Sequence, residues 1–150
     1  MSIVIVTLMV GIVPAKAYST SEYESSSIET LANGYYIETS ISIDNVDTAS
    51  STRGTKTATK TRSYKNSSGD VMWSASITGT FSYNGNSATC TSCSHSATAY
   101  GSTWSIKSVS SSRSGNSATT YATAIHHMAT INVEHSMSVT ISCSADGTIS

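Results

Sequence analysis

The chain has 150 residues, enough for one domain, and only 11% of them are charged, with 8 Lys and Arg against 9 Asp and Glu. So weak a field excludes a polyanion partner: the basic residues form nothing denser than the spaced set Arg53, Lys56, Lys60, Arg62 and Lys65, which reads as a solvated strand face, and no nucleic-acid binding is expected. Serine and threonine supply 55 residues, yet the single proline, Pro14, argues against a mucin-like stalk, and their alternation with Ile, Val, Tyr and Trp points to strands.

Residues 1–17 read as a signal peptide, an apolar run from Ile3 to Val13 followed by Pro14-Ala15-Lys16-Ala17, the small-x-small form of a cleavage site. The run is too short for a bilayer, which needs about 20 apolar residues. No second apolar span follows it. The mature chain is therefore expected to be secreted and extracellular, with no membrane span. Residues 18–32 are polar, serine-rich and acidic, which predicts a mobile polar arm with room for a short helix at Ser26–Leu31. The β-sandwich domain is expected over 33–150.

Asn33-Gly34 opens the first strand, in which Tyr35, Ile37, Thr39, Ile41 and Ile43 share one parity. Asp44 to Ser51 reads as a loop. The next strand sets Thr55, Thr57, Thr59, Thr61 and Ser63 against Lys56, Ala58, Lys60, Arg62 and Tyr64, which looks like an edge strand guarded by lysine. Then comes the clearest pattern in the chain: Val71, Trp73, Ala75, Ile77, Gly79, Phe81 and Tyr83 alternate with mostly hydroxyl residues, describing a long strand with one buried face. Asn84-Gly85 follows as a hairpin signal. A two-residue loop there sets Gly79 opposite Cys90, so that Cys90 points inward into the room glycine leaves, while Cys93 falls on the outer face opposite Ser76. A strand at Trp104 and Ile106 follows, and a final hairpin, Ala118–Met128 with Ile131–Cys143, places Cys143 inward. About seven strands and no convincing helix predict an all-β, antiparallel β-sandwich, with a closed β-barrel as the alternative. The order Cys90, Trp104, Cys143 resembles an immunoglobulin domain in architecture only, since too many strands precede Cys90.

From Gly79 onward the chain also resembles a group of small secreted β-sheet proteins of Gram-positive anaerobic bacteria. The matching residues are Gly79-Thr80-Phe81-Ser82-Tyr83-Asn84-Gly85, Ala88-Thr89-Cys90-Thr91, Trp104, Gly115-Asn116, and Thr140-Ile141-Ser142-Cys143 with Gly147-Thr148. The resemblance implies secretion and a Cys90–Cys143 disulfide, which the strand parities also favour, and it carries over no catalytic residue. Cys93 and His126-His127 depart from the pattern. Cys93 is left as a free thiol candidate.

Little in the chain announces chemistry. Cys90-Thr91-Ser92-Cys93 has redox spacing but lies along a strand, not at a helix start where a thiol pKa is lowered. No G-x-S-x-G elbow occurs, the acids are scattered, and no catalytic residue is expected. Trp73 and Trp104 read as core, and Tyr36, Tyr64, Tyr100 and Tyr121 as candidates for exposure and sugar stacking. If the last hairpin turns through Met128–Ile131, His126 and His135 become inward diagonal neighbours. They are weak metal candidates, because two imidazoles fall short of the four ligands of structural zinc, and no cofactor or metal is expected. The favoured function is a non-enzymatic secreted binding or interaction protein for a cell-surface glycan or protein. The alternatives are a small secreted hydrolase and an exported toxin or bacteriocin-like factor.

Overall fold

The structure, a computed structural model, describes residues 22–44 and 52–150, so the signal peptide read at 1–17 lies outside the described residues. Alternating β-formers and hydroxyls give eight strands: β1 (Glu22–Thr30), β2 (Tyr36–Ile43), β3 (Gly54–Lys65), β4 (Val71–Tyr83), β5 (Ala88–Ala99), β6 (Trp104–Ser114), β7 (Ser117–His127) and β8 (Asn132–Ser142). β1 to β5 pair in chain order into one antiparallel sheet, β6 to β8 form a second, and β4 packs across the gap on β7 and β8. This is a β-sandwich, not a closed barrel. The core joins the large side chains of β4, Trp73, Ile77 and Phe81, to the alanines Ala118, Ala122 and Ala124 of β7 and to Met137, Val139 and Ile141 of β8, all buried. Large residues facing small ones let the sheets interdigitate at core density. The buried polar residue on β7, Thr120, is satisfied by donating to the carbonyl of Ser76 at 3.0 Å.

Hydroxyls earn their abundance on the outer faces, where they pair across strands: Thr57 with Thr80 at 3.0 Å, Thr59 with Thr78 at 2.8 Å, Ser76 with Ser96 at 2.7 Å, and Thr119 with Thr140 at 2.9 Å. Such cross-strand pairs are the unit of sheet stabilisation, each contributing roughly 0.2–1 kcal/mol.

Three expectations are corrected. The polar arm at 18–32 contains β1, which runs antiparallel to β2 from Glu22 opposite Ile43 to Thr30 opposite Tyr36, so neither an unpaired arm nor a helix at Ser26–Leu31 forms. Composition misleads here because β1 is held by its main-chain ladder, with Ser26 to Thr30 exposed and little apolar area involved. It is also the strand that brings the total from seven to eight.

Second, β3 is not an edge: it lies between β2 and β4. Lys56, Lys60 and Arg62 do not form a solvated outer face. They stand opposite Phe81, Ile77 and Ala75 of β4, and share the inner face with buried Ala58 and Tyr64. A five-stranded sheet is about 19 Å wide between outer strand axes and a three-stranded one about 10 Å, so the smaller sheet cannot cover the whole inner face of the larger. The uncovered part, on β1 to β3 beside β8, is where inner-face cations become tolerable.

Third, the cysteine geometry changes. The β4–β5 loop holds four residues, Asn84–Ser87, with Tyr83 opposite Ala88 and Phe81 opposite Cys90. The Asn84 Oδ1 accepts from the N–H groups of Asn86 and Ser87 at 3.0 and 2.9 Å, closing the longer turn. This two-residue slip keeps Cys90 inward, but a bulge at Thr91 then turns Cys93 inward as well, opposite Gly79 and half-buried against the core. The space over Gly79 belongs to the Phe81 ring, since a Cβ there would lie 2.6 Å from it. All three cysteines are free, and the Cys90–Cys143 bridge is not formed. Both main chains are tied to the β6–β7 turn: the Gly115 carbonyl accepts from Cys90 N–H at 2.8 Å and the Asn116 carbonyl from Cys143 N–H at 3.0 Å. Burial pushes the thiols of Cys90 and Cys143 up in pKa, so both are inert and protonated at neutral pH.

Candidate functional site

The final hairpin has the register its sequence predicts, with His127 opposite Asn132, His126 opposite Val133 and Ala124 opposite His135. Met128 N–H donates to the Ile131 carbonyl at 2.9 Å to close the turn. His126 and His135 are accordingly inner-face neighbours with ring centroids 6.4 Å apart. Around them, at one end of the sandwich, three strands and the lead-in to β2 deliver aromatic rings to one cluster. Trp104 at the start of β6 stacks on His126 at 4.3 Å and lies 4.9 Å from His135. Tyr64 near the end of β3 contacts Trp104 at 5.5 Å, His135 at 5.3 Å and Tyr35 at 5.2 Å. Trp73 of β4 stands behind Tyr64 at 6.4 Å.

Two cavities open in this cluster. One, of about 440 Å³, is lined by Leu31, Ile37, Tyr64, Trp73, His135 and Met137, among others. The other, of about 300 Å³, runs between Tyr35, Tyr64, Trp104, His126, Val133 and His135. Tyr64 and His135 line both. The polar groups here have distinct environments. Trp73 is 1% exposed, and its Nε1–H has no hydrogen-bond acceptor. Such an orphan donor costs free energy, about 1–3 kcal/mol, and native structures rarely leave one unanswered. Burial, and then the neighbouring His126, hold the His135 imidazole below the usual histidine range, so it is neutral at pH 7. Burial and the adjacent Tyr35 push the Tyr64 phenol up, keeping it a neutral donor.

Among the described residues no three His, Cys, Asp or Glu side chains converge, so His126 and His135 have no third ligand. Of the expected sugar-stacking tyrosines, Tyr100 and Tyr121 are exposed singly, while Tyr64 is buried in the cluster and lines its cavities. Tyr35, Trp73 and Trp104 complete the ring set. Their convergence was not readable in advance, because it depends on which strand ends the sandwich brings together.

A second constellation lies on the outer face of the smaller sheet. Ser105 Oγ is 2.8 Å from His127 Nε2, and His127 Nδ1 is 3.0 Å from Asn132 Oδ1. Since the Asn132 oxygen can only accept, Nδ1 carries the proton and Nε2 accepts from the Ser105 hydroxyl. That order of nucleophile, base and orienting group is the one serine hydrolases use. No short sequence motif marks it, for its members are 22 and 5 residues apart and meet only through strand pairing. Half-buried Ser105 and exposed His127 line none of the cavities described above.

Compared with known proteins, the chain matches no family model, no curated protein and no solved structure.

Proposed function

We propose that this is a secreted, non-enzymatic β-sandwich that binds a saccharide in the aromatic cavities at its open end. The observation that carries the reading is the convergence of Tyr35, Tyr64, Trp73 and Trp104 on two adjoining cavities that share Tyr64 and His135. An apolar-walled concavity with a few fixed polar groups is the usual form of a small-ligand site. A sugar ring suits such a site, with C–H faces for the rings of Tyr64 and Trp104 and hydroxyl oxygens to accept from the Tyr64 phenol. The neutral His135 adds a group able to donate or accept. Tryptophan fluorescence titration over a saccharide panel, followed by calorimetry, tests the reading. Wild type is expected to bind at least one sugar, and Tyr64→Phe, which keeps the ring but removes the phenolic hydroxyl, to bind it about tenfold more weakly. Absence of any saccharide binding sinks the proposal.

The Ser105–His127–Asn132 string favours a second reading, a small secreted hydrolase acting by acyl transfer. It ranks lower because His127 is exposed and the string lines neither aromatic cavity, whereas acyl transfer needs a site that excludes water and orients its substrate. Labelling of wild type by a fluorophosphonate probe, lost in Ser105→Ala, establishes it. An unlabelled protein removes it.

A further inference from the structure

Of the three inner-face cations on β3, two are answered within the fold. Lys56 Nζ donates to the Gly147 carbonyl at 2.7 Å and sits over the Tyr83 ring. Arg62 pairs with Glu29 at 2.6 Å and donates to the Ser138 carbonyl at 3.1 Å. Lys60, by contrast, makes no hydrogen bond or ion pair with any described residue. Its cross-strand neighbours are Ile41 and Ile77, both buried, so its stem is packed in hydrocarbon while its ammonium faces a cleft. Burial, and then the positive charge of Arg62, hold its pKa below the usual lysine value. The cleft, of about 380 Å³, is lined by Lys60, Arg62, Glu29, Ile28 and the hydroxyl residues Ser27 and Thr39, and across it by the β8 edge at Ser138 and Thr140.

This cleft adjoins the aromatic cavity along the uncovered flank. Ile37 and Tyr64 line the cavity, while Thr39 and Arg62, the next inner-face positions on the same two strands, line the cleft. Met137 and Ser138 of β8 likewise belong to one each. Successive inner positions are about 7 Å apart, so Lys60 stands roughly 13 Å along β3 from the Tyr64 ring position. Among the side chains described, the carboxylates nearby are already engaged: Glu29 with Arg62, and Glu134, at the cavity, with Lys107. Among the described lining residues, the charge left over in the cleft is therefore the single positive one of Lys60.

Resting on the saccharide reading above, we infer that the ligand is an acidic saccharide of more than one unit, one sugar lying on the Tyr64–Trp73 cavity and the anionic group of the next meeting Lys60 among the cleft hydroxyls. A carboxylate or sulfate there supplies the charge-assisted hydrogen bonds that Lys60 lacks, in a site partly withdrawn from water where they are strong. Because β3 is an interior strand, the cation is fixed by the sheet and not by a mobile loop.

The test uses the full chain and calorimetry with three probes: a galacturonic acid trisaccharide, its fully methyl-esterified neutral form, and a sulfated disaccharide. Wild type is expected to bind the uronate or the sulfate at least about tenfold more tightly than the neutral ester, with the preference shrinking at high salt. Lys60→Met preserves the packed stem, removes a desolvated charge and is expected to fold. It should abolish the acidic preference, so that the uronate and its neutral ester bind alike. A preference in either acidic arm that Lys60→Met abolishes supports the inference, and the arm identifies the anionic group. Equal binding of acidic and neutral probes overturns it while leaving the saccharide reading intact. An acidic preference that survives Lys60→Met overturns the assignment to this cleft. Failure of all three probes to bind overturns it too, and the saccharide reading falls with it if the wider panel is also silent.

Discussion

The two ends of the sandwich are built from the same eight strands, yet one is sealed and the other is open. At the sealed end the segment after β8 folds back: Cys143 pairs with Ile149, and Ser142 and Ser150 exchange backbone hydrogen bonds at 2.9 Å. Ile149 is buried there. Gly147 lies against the face of Tyr83, and its carbonyl takes the Lys56 ammonium at 2.7 Å. Asp146 braces the turn, its carboxyl held down to about 2 by the Ser144 hydroxyl and the Thr148 N–H. At the open end no comparable segment crosses the cluster among the described residues. Aromatic rings rest on one another, cavities remain between them, and the Trp73 N–H goes unanswered. The contrast teaches that the same strands close one end with their own chain and leave ring-walled cavities at the other, the end that the proposed ligand occupies.

If that contrast is correct, substitutions toward the sealed end should cost stability and those at the open end should chiefly cost binding. The largest effect is expected for Phe81→Ala, which empties a site with no exposure and uncovers Gly79. Denaturant unfolding should show a loss of about 3–5 kcal/mol. A loss below about 1 kcal/mol would mean that this half of the core is loosely packed. Next comes Gly147→Ala. Gly147 has φ +86 and a Cβ there would come within 2.6 Å of the Tyr83 ring, so strain and displacement of the seal should cost about 1–3 kcal/mol with saccharide binding retained. Lost binding at intact stability would show that the seal, not the open end, carries the site.

The smallest effect is the pH dependence of the open end. His135 has a lower pKa folded than unfolded, because burial and His126 disfavour its charged form. As pH falls through about 6.5 the unfolded chain takes up its proton first. Stability from this group is thus complete above that pH and is lost as pH falls toward the folded pKa. Thermal melts from neutral to mildly acidic pH should show a decline that His135→Asn flattens. A decline of equal size in the variant would place the titration elsewhere.

Much of the fold was legible because strand parity is a local property. The alternation from Val71 to Tyr83 specified a buried face, and Met128–Ile131 specified the register that brings His126 beside His135. What the residues could not reveal is how the strands pair, which sets the sheet widths, the edges and the bulges. β1 was hidden because a main-chain ladder needs no apolar side chains. Lys60 and Arg62 looked outward because polarity signals solvent, and only the difference in width between the two sheets lets an inner-face position be cationic. A one-residue bulge at Thr91 reversed Cys93. The sequence by itself determined seven of the eight strands, the buried parity of β4 and the last hairpin, since each depends on neighbours in the chain. The tertiary structure alone decided the aromatic end, the Lys60 cleft and the Ser105–His127–Asn132 string, since each joins residues whose proximity is set by strand pairing and sheet packing.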